Sequence, residues 1–152
     1  MKEPSAIKND LFAPHQRAEQ IDHLGDPLAQ IEASIDFVQL AAEVDRVAPR
    51  AERAKGGRPP FPTETMVRIV VLKHLNNLSD ERMEFLLLDR LSYQRFCGLT
   101  HARNVPDRTT IWTFENRIGE RGAKALFEAL DRQLMHKGVT SRSDRGLMSR
   151  PI

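Results

Sequence analysis

Apolar residues recur along most of this chain at three- and four-residue intervals, and nowhere with the strict alternation of a half-buried strand. Asp26-Pro27 opens the first such stretch, Asp as an N-cap and Pro at the first helical position, with Leu28, Ile31 and Ile35 following at helical spacing. A second start at Asp36 leads Phe37, Leu40, Ala41, Val44 and Val47 along one face until Pro49. From Thr63 the segment TETMVRIVVLKHLNNL is apolar over a wide arc (Met66, Val67, Ile69, Val70, Val71, Leu72, Leu75, Leu78), the pattern of a helix buried on most sides. A strand is the rival reading for RIVVL, and the flanking helix formers favour a helix. Ser79 caps SDERMEFLLLDRL, whose Met83, Leu86, Leu87 and Leu91 form an inner face and whose Asp80 and Glu81 suit a helix N-terminus. Ser92 starts a short helix, SYQRFCGL, that Gly98 ends.

After a polar turn, THARNVP, Asp107 caps RTTIWTFENRIG with Ile111, Phe114 and Ile118 inward. A last helix, ERGAKALFEALDRQLMHKG, carries the stripe Ala123, Leu126, Phe127, Leu130 and Leu134 and stops at His136, Lys137 and Gly138. The fold class expected is therefore all-α, a small multi-helix domain over 24–138 with a helix-turn-helix-like arrangement and flexible termini. Residues 1–23 are expected to form a loosely held polar arm and 139–152, VTSRSDRGLMSRPI, a disordered tail.

Charge sharpens this picture. The 152 residues carry 23 Lys+Arg against 21 Asp+Glu, a net +2 that by itself predicts no polyanion partner. The distribution is uneven: up to Pro49 four cations face nine anions (−5), and from Arg50 nineteen face twelve (+7). A basic body behind an acidic head favours nucleic-acid contact. Most of the cations are Arg, which suits forked phosphate recognition, with a base-composition bias of the genome as the alternative. The stretch RAERAKGGRPPFP, whose Gly56-Gly57 and Pro59-Pro60 exclude a helix, reads as a basic linker. Its Lys55 and Arg58 suit a phosphate backbone, and a solvated connection accounts for them as well.

Chemistry beyond binding finds little support. Cys97 is the lone cysteine, the five histidines show no paired ligand spacing, and GxSxG, Walker and GxGxxG motifs are absent, so neither metal nor catalytic residue is assigned. Carboxylates read as solvated helix faces with i,i+4 pairs such as Glu128 with Arg132. The longest apolar run, Ile69–Leu72, is too short for a membrane span, and the expectation is a soluble cytoplasmic protein. The informative element is VPDRTTIWTFENRI. With Ile111, Phe114 and Ile118 inward, Arg108, Thr109, Thr110, Thr113, Asn116 and Arg117 fall mostly on the exposed arc, and these residue types suit phosphates and base edges in a major groove. Trp112, between the arcs, is expected to cover the edge of the core, with base stacking as the alternative. The leucine stripe of the last helix is core, or else a homo-oligomer seam.

The runs GRPPFPTETMVRIVVLKHLNNLSDERMEFLLLDRLSYQRFCGL and VPDRTTIWTFENRIGERGAKALFEAL, with LGDPLAQIEASIDF upstream, resemble the N-terminal region of bacterial insertion-sequence transposases of the DDE class, IS-five type. The resemblance covers about Leu24 to Gly138. It implies a helical domain that binds double-stranded DNA at the terminal inverted repeats of the element. It also implies that a ribonuclease-H-like domain follows in the intact family, with a carboxylate triad holding two magnesium ions. Where that family enters an apolar strand bearing the first catalytic aspartate, this chain reads GVTSRSDRGLMSRPI, so no catalytic role passes to Asp144. The expectation is a fragment truncated or frame-shifted before the active site, without cofactor or enzymatic activity of its own, that binds DNA and pairs with itself or with full-length transposase. The alternatives are a helical oligomerisation module and a non-functional remnant.

Overall fold

Four side chains set where helices begin. In the computed structural model, which describes residues 3, 5–50 and 60–137, the Asp26, Asp36, Ser79 and Asp107 side chains accept from the backbone amides of Leu28 (3.0 Å), Gln39 (3.1 Å), Arg82 (3.1 Å) and Thr110 (2.8 Å). Each satisfies an orphan donor of the first turn. The elements are α1 (Ala13–Leu24), α2 (Pro27–Ser34), α3 (Phe37–Val47), α4 (Thr63–Leu75), α5 (Asp80–Asp89), α6 (Leu91–Phe96) and α7 (Arg108–His136). The fold is all-helical, with no strand among the described residues.

At the centre lies α4, with Thr63, Thr65, Met66, Val67, Ile69, Val70, Val71 and Leu72 all buried. Its β-branched residues lose up to about 0.7 kcal/mol each in helix propensity, whereas full burial of such a side chain contributes about 1.5–3 kcal/mol. Packing therefore decides for helix over strand. The helix stops at Leu75, three residues before the end that the apolar pattern suggests, because Asn77 takes the left-handed conformation (φ 51°) that Asn tolerates. Around α4, α3 packs on both α4 and α7, and α5 packs on α7. The core between them includes Leu40, Val44, Met83, Leu87, Ile111 and Leu126, each fully buried. Cys97 is buried there too, and desolvation pushes its thiol up to about 12.

Burying α4 on nearly all sides leaves two of its cations to be neutralised by other helices. Arg68 donates to Glu32 Oε1 of α2 (2.7 Å) and to the Phe96 carbonyl (2.8 Å), with its guanidinium 4.6 Å from the Phe37 ring centroid. Lys73 meets Asp80 of α5 (2.6 Å) and Glu115 of α7. Burial opposes the Lys73 charge, yet the two carboxylates outweigh it and raise its pKa. From α7 the Gln133 side chain grips the start of α3, accepting from the Asp36 amide (2.8 Å) and donating to the Asp36 carbonyl (3.1 Å).

Several details depart from the sequence reading. The expected polar arm contains α1, whose start is set by the Asp10 carboxylate accepting from Phe12 N (2.8 Å) and by Pro14, and whose end is Gly25 at φ 94°. No residue of α1 is buried, so it carries no apolar stripe to announce it, and an ion pair of Asp22 with Arg95 ties it to α6. Ser92 does not start the sixth helix: α6 begins at Leu91, which is half-buried there instead of closing the inner face of α5. Glu128 lies 3.9 Å from Lys124, one turn before it, and not beside Arg132. On the last helix Gly122, Leu126, Ala129 and Leu130 are buried, while Ala123, Phe127 and Leu134 are half-buried at the margin.

The two helices read after Asp107 are one element interrupted at Gly119, whose φ of 63° and ψ of −168° are not helical. That conformation is essentially confined to glycine. Beyond the break the backbone at Gly122 comes so close to Ile118 that an added Cβ would lie 2.5 Å from its Cβ. Gly119→Ala, which meets no atom within 4 Å, should destabilise through backbone strain alone. A loss of about 1–3 kcal/mol is expected in urea unfolding, and wild-type stability in that variant would show that the backbone relaxes freely.

Candidate nucleic-acid interface

The first turn of α7 is built by α5 as much as by its own cap. Asp107 Oδ1 accepts from both the amide and the hydroxyl of Thr110, each at 2.8 Å, and these bonds hold its carboxyl below the usual aspartate range. The Arg108 amide, another orphan donor, gives its proton to Glu84 Oε1 at 2.8 Å. The Arg108 guanidinium closes on the same carboxylate, with Nε 3.3 Å from Oε1, and pairs with Glu81. Glu84 is accordingly held below its ordinary range, first by the Arg108 amide and then by its side chain, and Arg108 is raised by Glu84. Thr110 and Arg108 therefore have partners within the fold: one serves the cap, the other fastens α5 to α7.

Beyond the first turn the outer side of α7 is open. Thr109, Trp112, Thr113 and Asn116 are exposed at the i, i+3, i+4, i+7 spacing of one helical strip. The Asn116 amide donates to the Trp112 carbonyl (3.1 Å), which leaves its side-chain oxygen facing outward without a protein donor among the described residues. Trp112 is 60% exposed and does not cover the core edge. At about 100° per residue it lies more than ~120° from the centre of the Ile111–Phe114–Ile118 stripe, so the helical wheel already contained that answer. Glu115 points the other way, to Lys73.

Arg117 bounds the strip at its far end. Its Nη1 donates to the Ala48 carbonyl, the C-cap of α3, at 2.9 Å, and its guanidinium sits 5.3 Å from the Phe114 ring centroid. Burial, and after it the charge of Arg50, hold its pKa below the ordinary arginine value, while Asp45 pulls the other way. Of the residues the sequence nominates, the fold brings Thr109, Thr113, Asn116 and Arg117 together and engages Arg108 and Thr110 elsewhere. Lys55 and Arg58 lie outside the described residues. Among the described residues no group of three or more His, Cys, Asp or Glu side chains is placed to hold a metal ion, and no helix is long and apolar enough to cross a membrane.

Residues 15–117 match the family described as Transposase domain (DUF772), a stretch that begins within α1 and ends at Arg117, directly after the α7 strip. No solved structure matches the chain.

The cap and its pH dependence are open to measurement. Asp107→Ala should cost about 1 kcal/mol at neutral pH. Because the folded-state pKa of Asp107 is lowered, its contribution is complete above the unfolded value of about 3.9 and is lost as pH falls through the folded value. The stability gap between wild type and Asp107→Ala should thus be constant from pH 7 to pH 5 and close below about pH 4. A gap independent of pH would show that the cap acts without its charge.

Proposed function

The chain belongs to the transposase-domain family DUF772, and from that premise we propose that it is the DNA-binding N-terminal part of an insertion-sequence transposase, recognising the terminal inverted repeats of its element. The observation that carries this reading is the exposed α7 strip of Thr109, Trp112, Thr113 and Asn116. No carboxylate interrupts it, since Glu115 is turned to Lys73. Its chemistry suits a duplex groove: Asn pairs with adenine edges, Thr meets phosphate oxygens or the thymine methyl, and an aromatic face contacts sugars or bases. The strip is also well anchored. The Asp107 cap, the Glu84–Arg108 tie and the buried Ile111, Phe114 and Ile118 hold one face of α7 down so that the other is presented in a fixed orientation. In this reading the segment binds and positions DNA, and strand cleavage belongs to residues outside it.

A second reading, self-association or pairing with full-length transposase, is favoured by Phe85 and Leu88 of α5, which are 51% and 63% exposed. Apolar side chains of that size on adjacent turns suit a helix-to-helix contact. Sedimentation of the purified chain separates self-association from DNA binding: a monomer at every concentration removes self-association and leaves DNA binding untouched.

For the first, fluorescence anisotropy with a labelled terminal-repeat duplex should give an affinity that falls with salt at a log–log slope of about 0.9 per phosphate contacted. Asn116→Ala should weaken the repeat by about 1–3 kcal/mol and leave a scrambled duplex unaffected. Equal affinity for repeat and scrambled DNA, unchanged by Asn116→Ala, would overturn sequence recognition by this strip.

A further inference from the structure

Four arginines of the described residues pair with carboxylates, three of them across helices. Arg46 pairs with Glu43, Arg68 with Glu32 and Glu64, Arg95 with Asp22, and Arg108 with Glu81 and Glu84. Arg50 and Arg117 are treated differently. Each is held by a main-chain carbonyl, Arg117 by that of Ala48 and Arg50 by that of Phe61. Neither has a carboxylate within ion-pair distance among the described residues. A carbonyl orients a guanidinium while leaving its charge intact, and it occupies only part of a fork with five N–H donors.

The two are neighbours. Arg50 stands two residues beyond the carbonyl that Arg117 grips, and its charge is felt at Arg117, where it opposes ionisation more strongly than Asp45, outside ion-pair distance, favours it. Two like charges kept together in this way are destabilising for the free protein, and an anion placed between them removes the repulsion. The position is equally telling. Arg117 follows Asn116 directly and lies one turn beyond Thr113, so the pair closes the end of the α7 strip. It draws one member from α7 and the other from the chain leaving α3.

From this geometry we infer that Arg50 and Arg117 form a clamp for a DNA phosphate, fixing the register in which the α7 strip meets the bases. The inference rests on the DNA-binding reading and adds a division of labour to it: Thr109, Thr113 and Asn116 discriminate sequence, while Arg50 and Arg117 position the backbone without discriminating. Arg50 is the sharper probe, because it lies outside the helices and caps nothing, whereas Arg117 also secures the end of α3.

The test compares wild type, Arg50→Gln and Arg50→Lys as full chains, titrated with the terminal-repeat duplex and with a scrambled duplex over a range of salt concentrations, after thermal melts establish that each is folded. Arg50→Gln, which removes the charge and keeps a polar side chain, should lower the salt slope by about 0.9 and weaken both duplexes by the same factor. Arg50→Lys should restore the slope. Wild-type binding with a slope unchanged in Arg50→Gln overturns the clamp and leaves the DNA-binding reading standing. A loss confined to the repeat duplex overturns it too, since Arg50 would then be reading bases. Absence of binding to either duplex by wild type overturns the underlying reading together with the clamp.

Discussion

A helix buried on nearly every side admits polar atoms only where a partner is waiting, and α4 carries two long cations into that setting. Arg68 and Lys73 emerge on different sides, and each meets groups from elsewhere in the chain: Glu32 and the Phe96 carbonyl for one, Asp80 and Glu115 for the other. Leaving either side chain buried without its partners would cost several kcal/mol. The requirement specifies where α2, α5, α6 and α7 sit around the centre, which apolar contacts alone, being non-directional, do not do. Glu115 shows the reach of this constraint. By turning inward to Lys73 it joins the buried Ile111, Phe114 and Ile118 in fixing the rotation of α7 about its own axis, and so which of its residues face out.

The same logic continues at the first turn of α7. An N-terminus held only by its cap frays readily, but here α5 supplies a second acceptor through Glu84 and a cross-element ion pair through Arg108. Exposed ion pairs contribute little stability individually. Their effect here is directional, since they fasten the end of α7 nearest the exposed strip to α5 and deny that end the wobble of a frayed terminus.

Much of this was legible in the chain. Asp26, Asp36, Ser79 and Asp107 were readable as caps because capping is local chemistry, decided within four residues. The inward stripe of Ile111, Phe114 and Ile118 followed from periodicity alone. What escaped were the features that depend on distant partners or on the lack of a pattern. Arg108 looked like an outward-facing recognition residue because Glu81 and Glu84 come from another helix, and nothing within α7 announces them. Gln133, which grips Asp36, was equally silent. α1 has no fully buried residue and only Ala13, Ala18 and Ile21 half-buried, too sparse an apolar set to signal a helix, and the buried stripe of the last helix is shifted toward Gly122 because close approach to Ile118 selects for the smallest residue. The carbonyl-held pair of Arg50 and Arg117 was invisible for a related reason: its members belong to segments that only the fold brings together.

The break at Gly119 has a further meaning for how this domain tolerates change. In an unbroken helix every inserted or deleted residue rotates all that follows by about 100°, so the two ends of a long helix share one angular phase. Gly119 resets that phase. The segment from Arg108 to Ile118 takes its rotation from α5 and Lys73, and the segment after Gly119 takes its own from the Gln133 grip on α3. Variation in the second segment is thereby kept from turning the first, and the surface offered by Thr109, Thr113 and Asn116 is insulated from sequence drift downstream of it.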